Sequence, residues 1–114
     1  MNRSLHERRL AKFKQAGLYL VTSESLSAGR STQDIVRASL QGGIRLVQLR
    51  EKKMALRPFL ALAREIRNMT RDLDALMIVN DRLDLALAVE ADGVHLGQDD
   101  LPIEIARKLA PDLI

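Results

Sequence analysis

The chain has 114 residues, 46% of them hydrophobic and 29% charged, which suits a single domain over 1–114. Without a cysteine there is no disulfide framework and no thiolate nucleophile, so a metal must be held by oxygen or histidine, and a reducing cytoplasm is the expected setting. A formal charge of +3 admits anionic partners. With one Tyr, two Phe and no Trp, however, bases have little to stack on, so no nucleic-acid partner is expected. No membrane partner is expected either, because no apolar run reaches the roughly 18 residues a span requires.

Residues 2–16 read as an amphipathic helix, with Leu5, Arg9, Leu10 and Phe13 near one face and Arg8, Lys12 and Gln15 on another, ended by Gly17. It is either a basic arm or a helix that caps one end of a core. The second reading is preferred, since basic helices are usually solvated faces. From residue 18 to 114 the pattern is strand then helix, four times. Leu18 to Thr22 is an apolar strand, and Ser31-Thr32-Gln33-Asp34 resembles a capping box that opens a helix ended by Gly42-Gly43.

The second strand, Leu46 through Lys52, is the unusual one. Period-two alternation puts Gln48, Arg50 and Lys52 on one face and Val47 and Leu49 on the other. Two cations and an amide at the carboxyl end of a strand read as an anion grip, most suited to phosphate. A helix with one buried stripe follows over 55–71, with Pro58 in its first turn. The third strand, Ala75 to Asp81, is apolar until Asn80-Asp81. A short helix from Arg82 to Glu90, a turn at Asp92-Gly93 and the strand Val94-His95-Leu96 come next. Gly97-Gln98-Asp99-Asp100 then leads to a helix starting near Pro102 and stopped by Pro111.

Strands buried on both faces and alternating with helices predict a parallel sheet, as an open α/β sheet or part of a barrel. Ligands in such folds bind at the carboxyl ends of the strands, where Gln48, Arg50, Lys52, Asn80-Asp81 and the loop Gln98 to Asp100 all fall. The carboxylates have ordinary readings too. Asp81 suits an N-cap for the helix at Arg82, Asp99 or Asp100 suits the positive end of the helix near Pro102, and any of them suits a salt bridge to Arg50 or Lys52. Taken together, acids on neighbouring strands beside a cationic grip make a Mg²⁺ and diphosphate site coherent, because Mg²⁺ takes one or two carboxylates plus phosphate oxygens. No Ser or His is arranged with a base for nucleophilic attack, and His95 reads as a packed or hydrogen-bonded strand residue.

Leu18 to Thr22, Gly43 to Lys52 (GIRLVQLREK), Ile78 to Asp84 (IVNDRLD) and Ala91 to Pro102 (ADGVHLGQDDLP) resemble the thiamine phosphate synthases, in that order and spacing. The resemblance implies an α/β fold of the (β/α)₈ TIM-barrel type. Only the first four strand-helix units are present, as a half-barrel preceded by an N-terminal helix. It implies a Mg²⁺-dependent transferase that joins hydroxymethylpyrimidine diphosphate to thiazole phosphate and releases pyrophosphate, the diphosphate leaving first. It further implies that Gln48, Leu49, Arg50, Glu51, Lys52 and Asn80 bind the pyrimidine diphosphate, that Arg50 and Lys52 serve catalysis, and that Asp81 and Asp100 hold Mg²⁺. The family's later Ser and Thr loops and its thiazole-phosphate site have no counterpart here. One alternative is therefore a truncated, inactive fragment that binds the pyrimidine diphosphate only, and another is a thiazole tautomerase-like protein. Four strands of a barrel leave two edges and an apolar inner face open, so a homo-oligomer is expected as well.

Overall fold

The computed structural model describes residues 4–114, so Asn2 and Arg3 of the expected first helix lie outside the described residues. Helix α1 (Leu5–Gln15) is capped by Ser4, whose hydroxyl accepts from the Glu7 amide at 3.1 Å. The parallel sheet runs in the order β1-β2-β3-β4, with β1 at Leu20–Val21, β2 at Leu46–Leu49, β3 at Leu76–Asn80 and β4 at Gly93–His95. The helices α2 (Thr32–Gln41), α3 (Leu56–Asp72), α4 (Leu83–Ala88) and α5 (Ile103–Leu109) each follow one strand. This is the expected α/β alternation of the TIM-barrel type.

The register sorts the side chains. Leu46 pairs with Leu76, Val47 with Met77, Gln48 with Ile78 and Leu49 with Val79. Val47, Leu49, Met77 and Val79 face the helices and pack with Val36, Leu40, Phe59 and Ile66 in the main core. Leu46, Leu76 and Ile78 form a smaller cluster on the opposite, inner face. That face is not open as expected: these three are each 3% exposed, with Ala16 and Ile114 packed against them. What stays exposed is the β1 edge, at Leu18 and Val21. The expectation of a homo-oligomer therefore loses one of its two grounds.

The first three strands are shorter than the sequence pattern predicts, β1 and β2 most of all. Thr22 still donates its amide to the Gln48 carbonyl at 3.0 Å, but its hydroxyl takes the Arg50 amide at 2.9 Å in place of a backbone partner. The ladder stops there, so Arg50, Glu51 and Lys52 belong to a loop. At the other edge, Ile114 donates to the Asp92 carbonyl and accepts from the Val94 amide, both at 3.0 Å, which is parallel pairing beside Gly93. Only glycine fits at 93, since a Cβ would meet the Ile114 carbonyl at 2.3 Å and the Ile78 side chain at 2.8 Å. Ile114 thus pairs with the outer edge of β4 by two backbone hydrogen bonds.

The amino ends of the strands are fastened by Asp92. One carboxylate oxygen accepts from Arg9 of α1 at 3.1 Å, and the other accepts from Arg67 of α3 at 2.7 Å and from the Met77 amide at 2.9 Å. Arg9 and Lys12 of α1, which would carry a basic arm, are engaged with Asp92 and Asp74. The helix caps the end of the sheet.

Candidate functional site

Four loops meet at the carboxyl ends of the strands. Lys52, in the loop after β2, pairs with Asp81, in the loop after β3. Asp100, in the loop after β4, lies within hydrogen-bonding reach of Asp81. Glu51 reaches the loop after β1, accepting from the Thr32 hydroxyl at 2.7 Å and the Glu24 amide at 3.2 Å. A cleft of about 190 Å³ runs between Glu51, Lys52, Asn80, Asp81 and Arg82. A wider one of about 580 Å³ lies between Ser23 to Leu26 and Arg50 to Met54. An apolar hollow of about 170 Å³ between β4 and α5 has Arg107 as its charged lining residue, whose guanidinium is turned to the Leu113 carbonyl.

Asp81 is held in a strained backbone. The Arg82 amide donates to the Asn80 carbonyl at 2.8 Å, closing a three-residue turn whose centre, Asp81, has φ +67°. An L-residue in that region costs about 1 kcal/mol or more, and it is maintained here by the Asp81 amide donating to the His95 carbonyl at 2.8 Å. The N-cap of α4 is Arg82, without a side-chain capping bond, so Asp81 does not cap that helix. The Lys52 ammonium, hydrogen-bonded to Asp81, holds its carboxyl below the usual carboxylate range, against the opposing effect of burial. Asp100 accepts from the Gly97 amide at 2.7 Å and so closes its own loop, while Asp99 is exposed. Helix α5 starts only at Ile103, after Pro102.

Gln48, Arg50 and Lys52 do not form one strand face. Gln48 is 4% exposed and its amide is engaged within the sheet, donating to the Tyr19 hydroxyl at 2.8 Å and accepting from Asn80 at 2.7 Å. The Asn80 amide nitrogen also lies 3.5 Å from His95 Nδ1. Tyr19, Gln48, Asn80 and His95, from four successive strand segments, make a polar belt above the apolar inner layer. Burial pushes the Tyr19 hydroxyl above its ordinary range, so it stays neutral at physiological pH. Leu49 is fully buried against the helices, so its side chain faces away from the rim and the residue offers a ligand no exposed surface. Arg50 and Lys52 line the wider cleft, and Lys52 the narrower one too.

Chemically, the rim can receive an anion at Arg50 and Lys52 and a cation at the two acids. Asp81 and Asp100 fit Mg²⁺ by the nature of their donors. Two neighbouring carboxylates need a proton or a cation between them, and two is the number Mg²⁺ takes when phosphate supplies further oxygens. Among the described residues no group of three or more His, Cys, Asp or Glu is placed to hold a metal by itself.

Sequence reading missed Tyr19, Thr22, Thr32 and Asp92 as structural partners. For Asp92 a signal was present: Arg67 falls on the buried stripe of its helix, and a buried guanidinium requires a carboxylate.

The family model for thiamine monophosphate synthase matches residues 18–114. The thiamine-phosphate synthase of Natronomonas pharaonis is 54% identical over 92 residues, covering 81% of this chain and 43% of that protein. The one from Dictyoglomus thermophilum is 48% identical over 104 residues, covering 91% and 47%. The solved structure of thiamine phosphate pyrophosphorylase from Pyrococcus furiosus superposes with a TM-score of 0.79 at 43% identity, over 84% of this chain and 46% of that one. The chain thus spans less than half the length of these relatives. With a family match over almost its whole length, the chain belongs to the thiamine monophosphate synthase family.

Proposed function

We propose that this chain supplies the diphosphate grip of a thiamine phosphate synthase site. Arg50 and Lys52 bind and stabilise the diphosphate of hydroxymethylpyrimidine diphosphate, Gln48 and Asn80 line the pyrimidine side, and Asp81 and Asp100 hold Mg²⁺. The observation that supports it best is the meeting of Lys52, Asp81 and Asp100 from three successive strand-end loops. The reaction is transfer of the pyrimidinylmethyl group: its carbon–oxygen bond to the diphosphate breaks, pyrophosphate is released, and the thiazole phosphate nitrogen forms the new bond to that carbon. Mg²⁺, when bound, neutralises charge that develops on the departing diphosphate. Arg50 and Lys52 would place positive charge on the diphosphate, an effect that grows as the carbon–oxygen bond breaks. Lys52, paired with Asp81 at a half-exposed position, would reach the diphosphate by a short side-chain movement.

Since the chain covers less than half of its relatives, binding of the pyrimidine diphosphate without turnover is the second reading. Pyrophosphate release assayed with both substrates separates the two, because binding alone gives none. Calorimetry with pyrophosphate and Mg²⁺ tests what both share. Arg50→Ala and Asp81→Ala should each weaken binding by about tenfold to a hundredfold, the worth of one lost charge-assisted hydrogen bond, with helical circular dichroism unchanged. Unchanged affinity in both variants sinks the assignment.

A further inference from the structure

Glu51 is out of place in a diphosphate grip. It stands between Arg50 and Lys52, with Lys53 next, and a free carboxylate there would repel a phosphate oxygen. Its side chain does not pair with these neighbours. One oxygen accepts from the hydroxyl of Thr32, the first residue of α2, itself 1% exposed, and the other accepts from the amide of Glu24 in the loop after β1. That loop, a single 3₁₀ turn at Glu24–Leu26, has few other fastenings, among them the Ser27 hydroxyl donating to the Ser23 carbonyl at 2.7 Å. It forms one wall of the 580 Å³ cleft whose other wall carries Arg50, Lys52 and Lys53. The exposed side chain of Leu26 stands on the loop wall. On the Arg50 side, the same two segments are joined once more by the Thr22 hydroxyl and the Arg50 amide.

Resting on the diphosphate reading above, we propose that Glu51 is a positioning residue. Its carboxylate ties the β1–α2 loop and the start of α2 to the β2–α3 loop, and thereby fixes the two walls between which Arg50 and Lys52 meet an anion. The carboxylate itself touches no ligand. Hydrogen-bonded through both oxygens, it is held at the cleft wall by Thr32 and Glu24. The Thr32 hydroxyl and the Glu24 amide are in turn given an acceptor that the backbone does not provide.

The sign of one substitution separates this role from a merely electrostatic one. Were Glu51 only a negative charge beside the grip, Glu51→Ala would tighten pyrophosphate binding. As a tie between loops, its loss should weaken binding by about tenfold, the usual effect of removing a residue that orients a binding group. Thr32→Val, which removes the other end of the tie without changing charge, should act in the same direction. The double variant should be no weaker than the worse single one, because both break one connection. Glu51→Gln keeps an acceptor for one donor only and should fall between. Hydrogen exchange of the amides from Ser23 to Ser31 gives a readout without ligand, and should quicken in Glu51→Ala and Thr32→Val. Pyrophosphate with Mg²⁺ is the probe throughout. Equal or tighter binding in Glu51→Ala, or unchanged exchange in the loop, overturns the positioning role while leaving the diphosphate reading intact. No affinity in the unsubstituted chain overturns both.

Discussion

Two aspartates, one at each end of the sheet, have opposite surroundings. Asp92, at the amino end of β4, is 13% exposed in its side chain, and both its oxygens are engaged by Arg9, Arg67 and the Met77 amide. Asp81, at the carboxyl end of β3, is 27% exposed and pairs with a lysine that is itself 46% exposed. The first lies on regular backbone paired to Met77, and the second is at φ +67°. One end of the molecule satisfies its charges internally. The other keeps an acid and a base paired loosely enough to be exchanged for a ligand, and accepts backbone strain to hold them there. Fastening at the amino end and exchangeable charge at the carboxyl end is the division of labour expected of β/α barrels.

The contrast is broken most severely by Asp92→Ala. It leaves Arg67, 7% exposed and already carrying one unpartnered buried nitrogen, without a counter-charge. Urea denaturation should show a loss of about 3 kcal/mol or more. A loss under 1 kcal/mol would mean that the fastening is not what the geometry indicates.

At the other end, Asp81→Ala and Asp81→Gly both remove the carboxylate and should both weaken Mg²⁺-dependent pyrophosphate binding to the same extent. They differ in backbone freedom, so the glycine variant should be the more stable by about 1 kcal/mol in the same denaturation experiment. Equal stability would show that the turn around residue 81 is not strained.

pH gives the smallest effect. The Asp81 carboxyl is lowered by its hydrogen bond from Lys52, so the pairing contributes fully above the ordinary carboxylate value of 3.8 and is lost as pH falls through the lower folded value. An NMR titration of the Asp81 carboxyl carbon should therefore have its midpoint below 3.8. In Lys52→Met the midpoint should rise, since the main cause of the lowering is gone.

The elements were readable because their causes are local. Ser31 caps α2 through the Asp34 amide at 3.1 Å, and Gly43, at φ +108°, turns the chain where Gly42-Gly43 predicts a stop. The outward pair Val47 and Leu49 packs on the helices as alternation requires. Alternation failed beyond Leu49, where the Thr22 hydroxyl, 28 residues away, takes the Arg50 amide. No local pattern encodes that contact. The same holds for the direction of Glu51, which depends on Thr32 and Glu24, and for Asp81, whose helix-capping chemistry is overridden by a turn fixed from β4.

By itself, then, the amino-acid sequence determined the strand-helix order, the inner and outer faces of the central strands, and the set of acids and bases at the strand ends. These follow from periodicity, capping and glycine, all of which act over a few residues. Only the tertiary structure decided which of those groups face one another: Lys52 toward Asp81, Glu51 toward the first loop, Gln48 into a belt with Tyr19 and Asn80, and Asp92 between two arginines. Such pairings join segments 25 to 83 residues apart for Asp92 alone. They are set when the sheet register brings the loops together, at a range that no local pattern reaches.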